Sequence, residues 1–429
     1  MPKLWRKLSK KLAQLSNSLN RYLKLANWQR IPSGGFFVII NLMNDFDYLG
    51  KNNIYLDSAC QSLRPRPVID AINDYYLHFN ACGERAKYKW GRITDEKIDS
   101  VREKVLKFLK LKSKEYTVSF TLNTTYGINL LLNQLDPSIF DKVMTSEIEH
   151  NSPFLSTMAF AERTGVPRIV MKRNDDGLIP IDDYDFKNAL VVINCASNFD
   201  GRKLGNIDEL IKKVHKAGGI IIIDAAQAMA HSHDILEKTD ADAICFSAHK
   251  LYAPSLGVIV WKKDLLKNLK TYFVGGGMVD DVDKESYKLS ADSPNHIYTK
   301  FESGLQAWGE IIGLGAALDW LNNLKKSDHE RLAENYNELY NFLKSSNKVH
   351  LVNNEANPTI SFYIDGVDSH LLGEALSREG IMARTGYFCA HYFLDHVCHY
   401  PPLIRFSMGY HTTKADIEKV KTALAKILK

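Results

Sequence analysis

Lys250 closes the run Ser247-Ala-His-Lys250, just past a β-rich stretch that ends at Phe246. A lysine so placed is either a solvated loop residue or an amine that can condense with a carbonyl. One strand and one helix earlier, the most apolar stretch of the chain, Gly219-Ile-Ile-Ile-Ile-Asp224, ends on a carboxylate. A charge there needs a partner, because burying it alone is costly. Its bland alternative is to cap a helix over Ala225–Ala230. Thr124 and Thr125 fall between a strand and a helix, where hydroxyls and backbone N–H groups suit a phosphate or serve only as a helix cap. Glu149 and His150 follow the next strand.

Together these residues meet the needs of one cofactor. Pyridoxal phosphate takes a lysine as its Schiff-base partner and an acid against its pyridine nitrogen. Here the lysine is Lys250 and the acid Asp224. Thr124, Thr125, Ser247 and His249 would form the phosphate cup. Gln227 or Asn198 would serve the ring oxygen, and His150 would lie over the ring.

The elements that must position these groups alternate. Val101–Leu111 is expected to be an amphipathic helix, Tyr116–Leu122 a strand and Ile128–Leu135 a helix. Short apolar runs of strand length follow at Lys142–Thr145, Arg168–Lys172, Ala189–Asn194, Gly219–Asp224, Ala243–Phe246 and Gly257–Trp261, with helices such as Ile207–Ala217 between them. This pattern predicts an α/β fold with a doubly wound, mostly parallel sheet, whose ligands sit past the strand ends. After Gly304 the pattern changes to two helices, Ala307–Leu324 and Arg331–Leu343, and a smaller α+β unit.

The chain has 429 residues, 45% hydrophobic and 24% charged, which excludes a disordered or collagen-like protein. Its net charge of +5 belongs to a tail: residues 1–30 hold eight Lys/Arg and no acid, leaving 47 basic against 50 acidic residues in the remainder. Nothing in the charge of the body points to nucleic acid. The tail carries leucines at helical spacing (Leu4, Leu8, Leu12, Leu15, Leu19), and three readings stay open: membrane-surface association, organelle targeting, or an extension without a role. Six scattered cysteines make no disulfide framework and favour a reducing, cytoplasmic setting.

Beyond the tail the sequence resembles the class V aminotransferase family, and within it the SUF-type cysteine desulfurases. The resemblance rests on Asn53-Ile-Tyr-Leu-Asp-Ser-Ala, Asp224-Ala-Ala-Gln, Phe246-Ser-Ala-His-Lys-Leu-Tyr-Ala-Pro, Gly275-Gly-Gly-Met, Phe301-Glu-Ser-Gly and Gly313-Leu-Gly-Ala-Ala-Leu, in the family's order. It implies a fold-type I pyridoxal-phosphate enzyme. An N-terminal extension (1–42) and a segment joining the small domain (43–70) would precede a large cofactor domain (71–304) and a small C-terminal domain (305–429). It also implies a homodimer.

Arg384-Thr-Gly-Tyr-Phe-Cys389-Ala resembles the stretch that carries the persulfide-forming cysteine in that subfamily. The chemistry agrees, since a thiolate aimed at a labilised cysteine sulfur can take it and leave alanine. Cys389 could instead be an inert thiol, or belong to a metal site with His391, His396, Cys398 and His399, whose spacing fits no standard zinc pattern. Arg405 matches the family's carboxylate anchor, with Arg384 as a second substrate-binding arginine. Cys195 and Cys245 read as core residues; Cys60 and Cys82 match no role. The implied partners are L-cysteine or selenocysteine and a sulfur-acceptor protein, with no metal.

The substrate rim departs from the family at Glu84-Arg85-Ala86, Leu305, Asn123, Tyr387 and Phe388. The rival readings are therefore a selenocysteine lyase, another C–S lyase, a racemase, an aminotransferase, or a scaffold without turnover.

Overall fold

Polar turns and short apolar runs alternate through the body of the chain, and the computed structural model describes residues 45–83, 86–174, 176–290 and 296–428. The basic extension (1–42) and the Glu84-Arg85 pair lie outside the described residues. After strand β1 (Ile54–Tyr55), helices α1 (Arg66–His78) and α2 (Lys89–Phe108) lead into β2 (Tyr116–Thr121). There follow α3 (Thr124–Gln134), β3 (Lys142–Ser146), α4 (Asn151–Thr164), β4 (Arg168–Met171), β5 (Ala189–Asn194), α5 (Ile207–Lys216) and β6 (Ile220–Asp224). A helical turn at Ala228–His231 then precedes β7 (Ala243–Ser247) and β8 (Gly257–Lys262).

Seven of these strands form one sheet in the order β2-β8-β7-β6-β5-β3-β4. The five strands from β7 to β4 are parallel, whereas β8 runs antiparallel to both β2 and β7. Only a short loop separates Lys250 from Gly257. That is too little chain for a crossover helix, so β8 must double back. The central parallel strands β5 and β6 are buried on both faces, which explains their Val/Ile runs. Helix α5 buries Ile207, Leu210, Ile211 and Val214 on one face, with Asp208 and Glu209 in its first turn and Lys213, His215 and Lys216 in its last.

A hairpin of β9 (Val279–Val282) and β10 (Tyr287–Leu289) precedes helix α6 (Trp308–Asn322), which packs against α1 and α2. Beyond it come α7 (Lys326–Lys344), β11 (Val349–Leu351), β12 (Thr359–Ile364), α8 (Ser369–Arg378), β13 (Ile381–Met382), β14 (Arg384–Gly386), β15 (Leu403–Ser407) and α9 (Lys414–Leu428). Here β11-β12-β15-β14 form an antiparallel sheet. The N-terminal β1 pairs in parallel with β13, and Asp57 bridges to Ser407.

The expected elements recur, with two corrections. Helix α2 begins at Lys89, not near Val101: Gly91, Thr94 and Ile98 extend the buried stripe of Val101 and Val105 backward, and polar neighbours hid it. Helix α7 begins at Lys326 rather than Arg331, because its first turn is wholly polar and is closed by Asp328 accepting the Lys325 N–H (2.9 Å).

The Phe301-Glu-Ser-Gly element supplies a structural anchor. Glu302 forms a buried two-pronged pair with Arg102 (2.6 and 2.7 Å) and accepts the Phe120 N–H of β2 (2.7 Å). Arg102 also stacks on the Tyr298 ring, 3.8 Å from its centroid. Glu302→Ala would leave the buried Arg102 guanidinium without its carboxylate, so we expect a loss of about 3–5 kcal/mol of stability, read by denaturant unfolding. A loss under about 1 kcal/mol would show that water replaces the carboxylate.

Candidate active site

The carboxyl ends of β5, β6 and β7 deliver three polar groups to one place, because parallel strands in register end together. Asp224 is the last residue of β6 and is buried; its Oδ1 accepts the Ala226 N–H (2.9 Å). This bond is the helix-cap alternative in part, yet the helical turn starts only at Ala228. Burial pushes the Asp224 carboxyl up, and the nearby Lys250 ammonium counters it. Lys250 ends the short turn after β7. Burial drives its amine down, against the pull of Asp224.

The threonine loop packs against this turn. Asn123, not a threonine, caps α3 by accepting the Tyr126 N–H (2.9 Å), which leaves both threonine hydroxyls for other bonds. The Thr124 N–H donates to Ser247 Oγ (2.9 Å), and the two hydroxyls lie 2.6 Å apart. Thr125 Oγ1 meets Ser152 Oγ at 2.6 Å. The approach depends on Gly257: a Cβ there would come within 2.5 Å of Asn123 N and 2.7 Å of its Cα. His249, beside the cup, is driven down to about 4 by burial, so its ring is neutral until an anion arrives.

His150 caps α4, its Nδ1 accepting the Ser152 N–H at 3.0 Å. An acceptor Nδ1 puts the ring proton on Nε2. Burial, with Lys250 and Arg405 nearby, lowers its pKa to about 3 and keeps the imidazole neutral. Behind it the buried Glu149 accepts the Asn194 N–H (2.7 Å) and lies 3.6 Å from Arg173.

The small sheet supplies the cations. Arg384 on β14 stands opposite Arg405 on β15 in the strand register. Both grip Asp57: Arg384 Nη2 at 2.6 Å and Arg405 Nη2 at 3.2 Å. Arg405 Nη1 donates to the Asn198 carbonyl (2.7 Å), its guanidinium sits 4.8 Å from the Phe388 ring centroid, and its buried Nε–H finds no acceptor. Asn198 Nδ2 donates to the Phe388 carbonyl (2.5 Å), and Gln227 Nε2 to the Ala59 carbonyl (2.8 Å).

Cys389 follows Phe388 in a loop where both residues adopt left-handed backbone, φ 60° and 50°. Its thiol residue is exposed, and its carbonyl accepts the Asn151 N–H (2.6 Å). Cys195 and Cys245 lie in the core, where burial pushes both thiols up. Tyr392–Val397 forms a turn of π-helix, and among the described residues no group of three or more His, Cys, Asp or Glu side chains is placed to hold a metal.

Residues not singled out in the sequence complete the site. Asp57 holds both arginines, and Cys60 Sγ accepts from Arg384 Nη2 at 2.7 Å. The donor set fits pyridoxal phosphate. A buried carboxylate with one backbone donor suits a pyridinium N–H, hydroxyls at a helix start suit phosphate, a buried amine suits the aldehyde, and the unpaired Arg405 Nε–H suits an amino-acid carboxylate.

The family model Aminotransferase class-V matches residues 54–420. The chain is 30% identical over 390 residues to a cysteine desulfurase of Pectobacterium atrosepticum, covering 88% of this chain and 94% of that protein. Its structure is similar to an apo cysteine desulfurase from Thermococcus onnurineus NA1, with TM-score 0.82, 25% identity and coverage of 93% and 98%. It shares the fold of C-DES in a form with glycine covalently linked to pyridoxal phosphate, at TM-score 0.73, 18% identity and coverage of 89% and 98%.

Proposed function

The chain belongs to the class V aminotransferase family as a pyridoxal-phosphate-dependent cysteine desulfurase, and from that premise we propose that it converts L-cysteine to L-alanine with Cys389 as the sulfur acceptor. The observation that carries this assignment is the exposed Cys389, whose preceding residue Phe388 lays its ring against the Arg405 that has a free N–H for the substrate carboxylate.

When bound, pyridoxal phosphate supplies an electron sink that labilises the amino acid's α-proton and weakens its Cβ–S bond. The chain's own residues do the rest. Thr124, Thr125, Ser247 and His249 bind the phosphate. Asp224 would hold the ring nitrogen protonated, an ion pair favoured where solvent is scarce. Gln227 or Asn198 would serve the ring oxygen, and His150 would lie over the ring as a neutral imidazole. Lys250 would hold the cofactor's aldehyde and would carry protons to and from the substrate's carbons. Arg405 orients the carboxylate, with Arg384 behind it. The Cys389 thiolate attacks the substrate sulfur, the Cβ–S bond breaks, its electrons stay with the carbon skeleton, and protonation there yields alanine.

The large domain (71–304) would hold the cofactor, while the small domain (305–429) would bring Arg405 and Cys389 to it. A second copy of the chain would cover the exposed Tyr76 and Leu77 of α1 and the exposed Tyr272, Phe273 and Val274. A cytoplasmic acceptor protein would then collect the sulfur for iron–sulfur or thio-cofactor assembly. All six cysteines are free, and no helix among the described residues is long and apolar enough to cross a membrane.

The test is product analysis. Purified holoenzyme is incubated with L-cysteine, L-selenocysteine or L-alanine in the presence of a thiol reductant. Equal amounts of alanine and sulfide from L-cysteine support the assignment. Pyruvate in place of alanine, racemised alanine, or turnover confined to selenocysteine would each overturn it.

A further inference from the structure

A single carboxylate occupies both arginines of the small sheet. Arg384 and Arg405 stand directly opposite each other in the register of β14 and β15, and like charges so placed repel. Asp57 lies between them. Its Oδ2 takes Arg384 Nη2 at 2.6 Å, and its Oδ1 takes both Arg384 Nε (3.4 Å) and Arg405 Nη2 (3.2 Å). Arg384 thus meets Asp57 through two prongs, the way a guanidinium takes a carboxylate ligand. Two arginines and one aspartate leave one positive charge, which matches one substrate carboxylate and no more.

Backbone bonds fix Asp57 at this spot. Its carbonyl accepts the N–H groups of Cys60 (3.0 Å) and Gln61 (3.1 Å), and its backbone bridges to Ser407, two residues past Arg405 on β15. The next two residues are tied to the same serine: the Ser58 N–H donates to the Ser407 carbonyl (3.1 Å) and the Ala59 N–H to Ser407 Oγ (2.9 Å).

We propose that Asp57 is a specificity-determining residue: it stands where the side-chain carboxylate of an acidic amino acid would bind, and so restricts the site to amino acids with an uncharged side chain. The inference rests on the proposed role of Arg405 as the anchor of the substrate's α-carboxylate. Once that carboxylate is on Arg405, the neighbouring cation is Arg384, whose side chain is 44% exposed against 3% for Arg405. A second carboxylate two carbons away would turn to Arg384. It finds that guanidinium already paired and meets the charge of Asp57 instead, a repulsion built against the wrong ligand. The thiol of L-cysteine, entering uncharged, meets no such penalty.

A purely structural role, relief of the repulsion between the two arginines, makes a different prediction. Loss of Asp57 would then weaken the binding of every amino acid alike. The specificity role requires that an acidic amino acid gain relative to a neutral one.

The experiment titrates holoenzyme with L-alanine and with L-aspartate, and reads binding from the cofactor's visible absorption and by calorimetry. The wild type should bind L-alanine about tenfold or more tightly than L-aspartate. In Asp57→Asn, L-aspartate should gain about tenfold or more relative to L-alanine. Combining Asp57→Asn with Arg384→Gln should remove that gain, because the cation that takes the second carboxylate is gone. An unchanged ratio in Asp57→Asn, or a gain that survives Arg384→Gln, overturns the proposal. Equal binding of the two amino acids by the wild type also overturns it, and decides the matter should Asp57→Asn not fold. Arg405→Gln tests the underlying reading separately: it should weaken both amino acids by about tenfold or more. Undiminished binding of L-alanine by that variant overturns the role of Arg405, and the proposal with it.

Discussion

Lys250→Ala is expected to retain the fold, lose covalent attachment of the pyridoxal group, and slow alanine formation by about 10⁴-fold or more. The reason lies in how β7 delivers the side chain. Ser247 ends the strand, Ala248 is buried, and the turn closes with Lys250 in the field of Asp224. Burial there disfavours the ammonium form, so the amine is available as a nucleophile and as a proton carrier. Lys250 is the cation whose charge opposes the effect of burial on Asp224. The measurement pairs alanine release with the label fixed on protein by borohydride and located by peptide mapping. Small added amines should restore part of the turnover, because they replace the proton carrier but not the tether. Label on a different lysine, or turnover within tenfold of wild type, would refute the assignment.

Cys389→Ala carries the second large effect. The variant should bind cofactor normally and still change its visible absorption on adding L-cysteine, because Lys250, Asp224 and Arg405 are untouched. Alanine formation should fall by about 10²-fold or more, since no group takes the sulfur. The loop's geometry supports a specific role for this thiol. Two consecutive non-glycine residues in left-handed backbone cost of order 1–3 kcal/mol each and persist only where the surroundings hold them. Here the Phe388 carbonyl accepts from Asn198 Nδ2, the Cys389 carbonyl accepts from the Asn151 N–H, and the Phe388 ring rests against Arg405. None of these contacts uses the sulfur, so removing it should leave the loop in place. Cys195→Ala and Cys245→Ala serve as controls: both thiols are fully buried, and their loss should lower stability while turnover per folded molecule stays the same. Undiminished alanine formation by Cys389→Ala would remove the persulfide from the mechanism.

Departures at the substrate rim acquire physical content in the structure. Phe388, one of these departures, gives its ring face to the buried Arg405. Tyr387, a second, donates its hydroxyl to the Tyr400 carbonyl (3.3 Å) and packs in the cluster with Phe199 and Leu394. Two carbocyclic aromatic side chains thus precede Cys389. Leu305, another departure, is exposed.

Much of the site was legible in the sequence because it is written in local patterns. Asp224 is readable at the end of four consecutive isoleucines, because a run buried on both faces can only be a central strand, and its last residue must then sit at the ligand edge. Lys250 and the threonine pair follow from the same rule applied to β7 and β2. The strand–helix alternation carried the fold class, since period and punctuation are properties of neighbouring residues. Helix α2 was read too short for the converse reason: its first turns hide a buried stripe among charges, and only packing against α6 reveals it.

Only the tertiary structure decided who stands opposite whom across the small sheet. Asp57 meets Arg405 across 348 positions and Arg384 across 327. Nothing near any of the three announces the others. Their meeting is set by the register of β14 against β15 and by β1 closing on β13, where a slip of one residue would turn each side chain to the opposite face. Cys60 belongs to the same class. In the sequence it is one of two cysteines without a matched role, and it becomes a thiol beside Arg384 only because the N-terminal segment pairs with the small domain. Residue types and local periodicity determined the cofactor chemistry of this protein. The non-local strand pairing decided which charges and which second sulfur surround it, because such pairing is selected by the total burial it allows and leaves no trace in the spacing of adjacent residues.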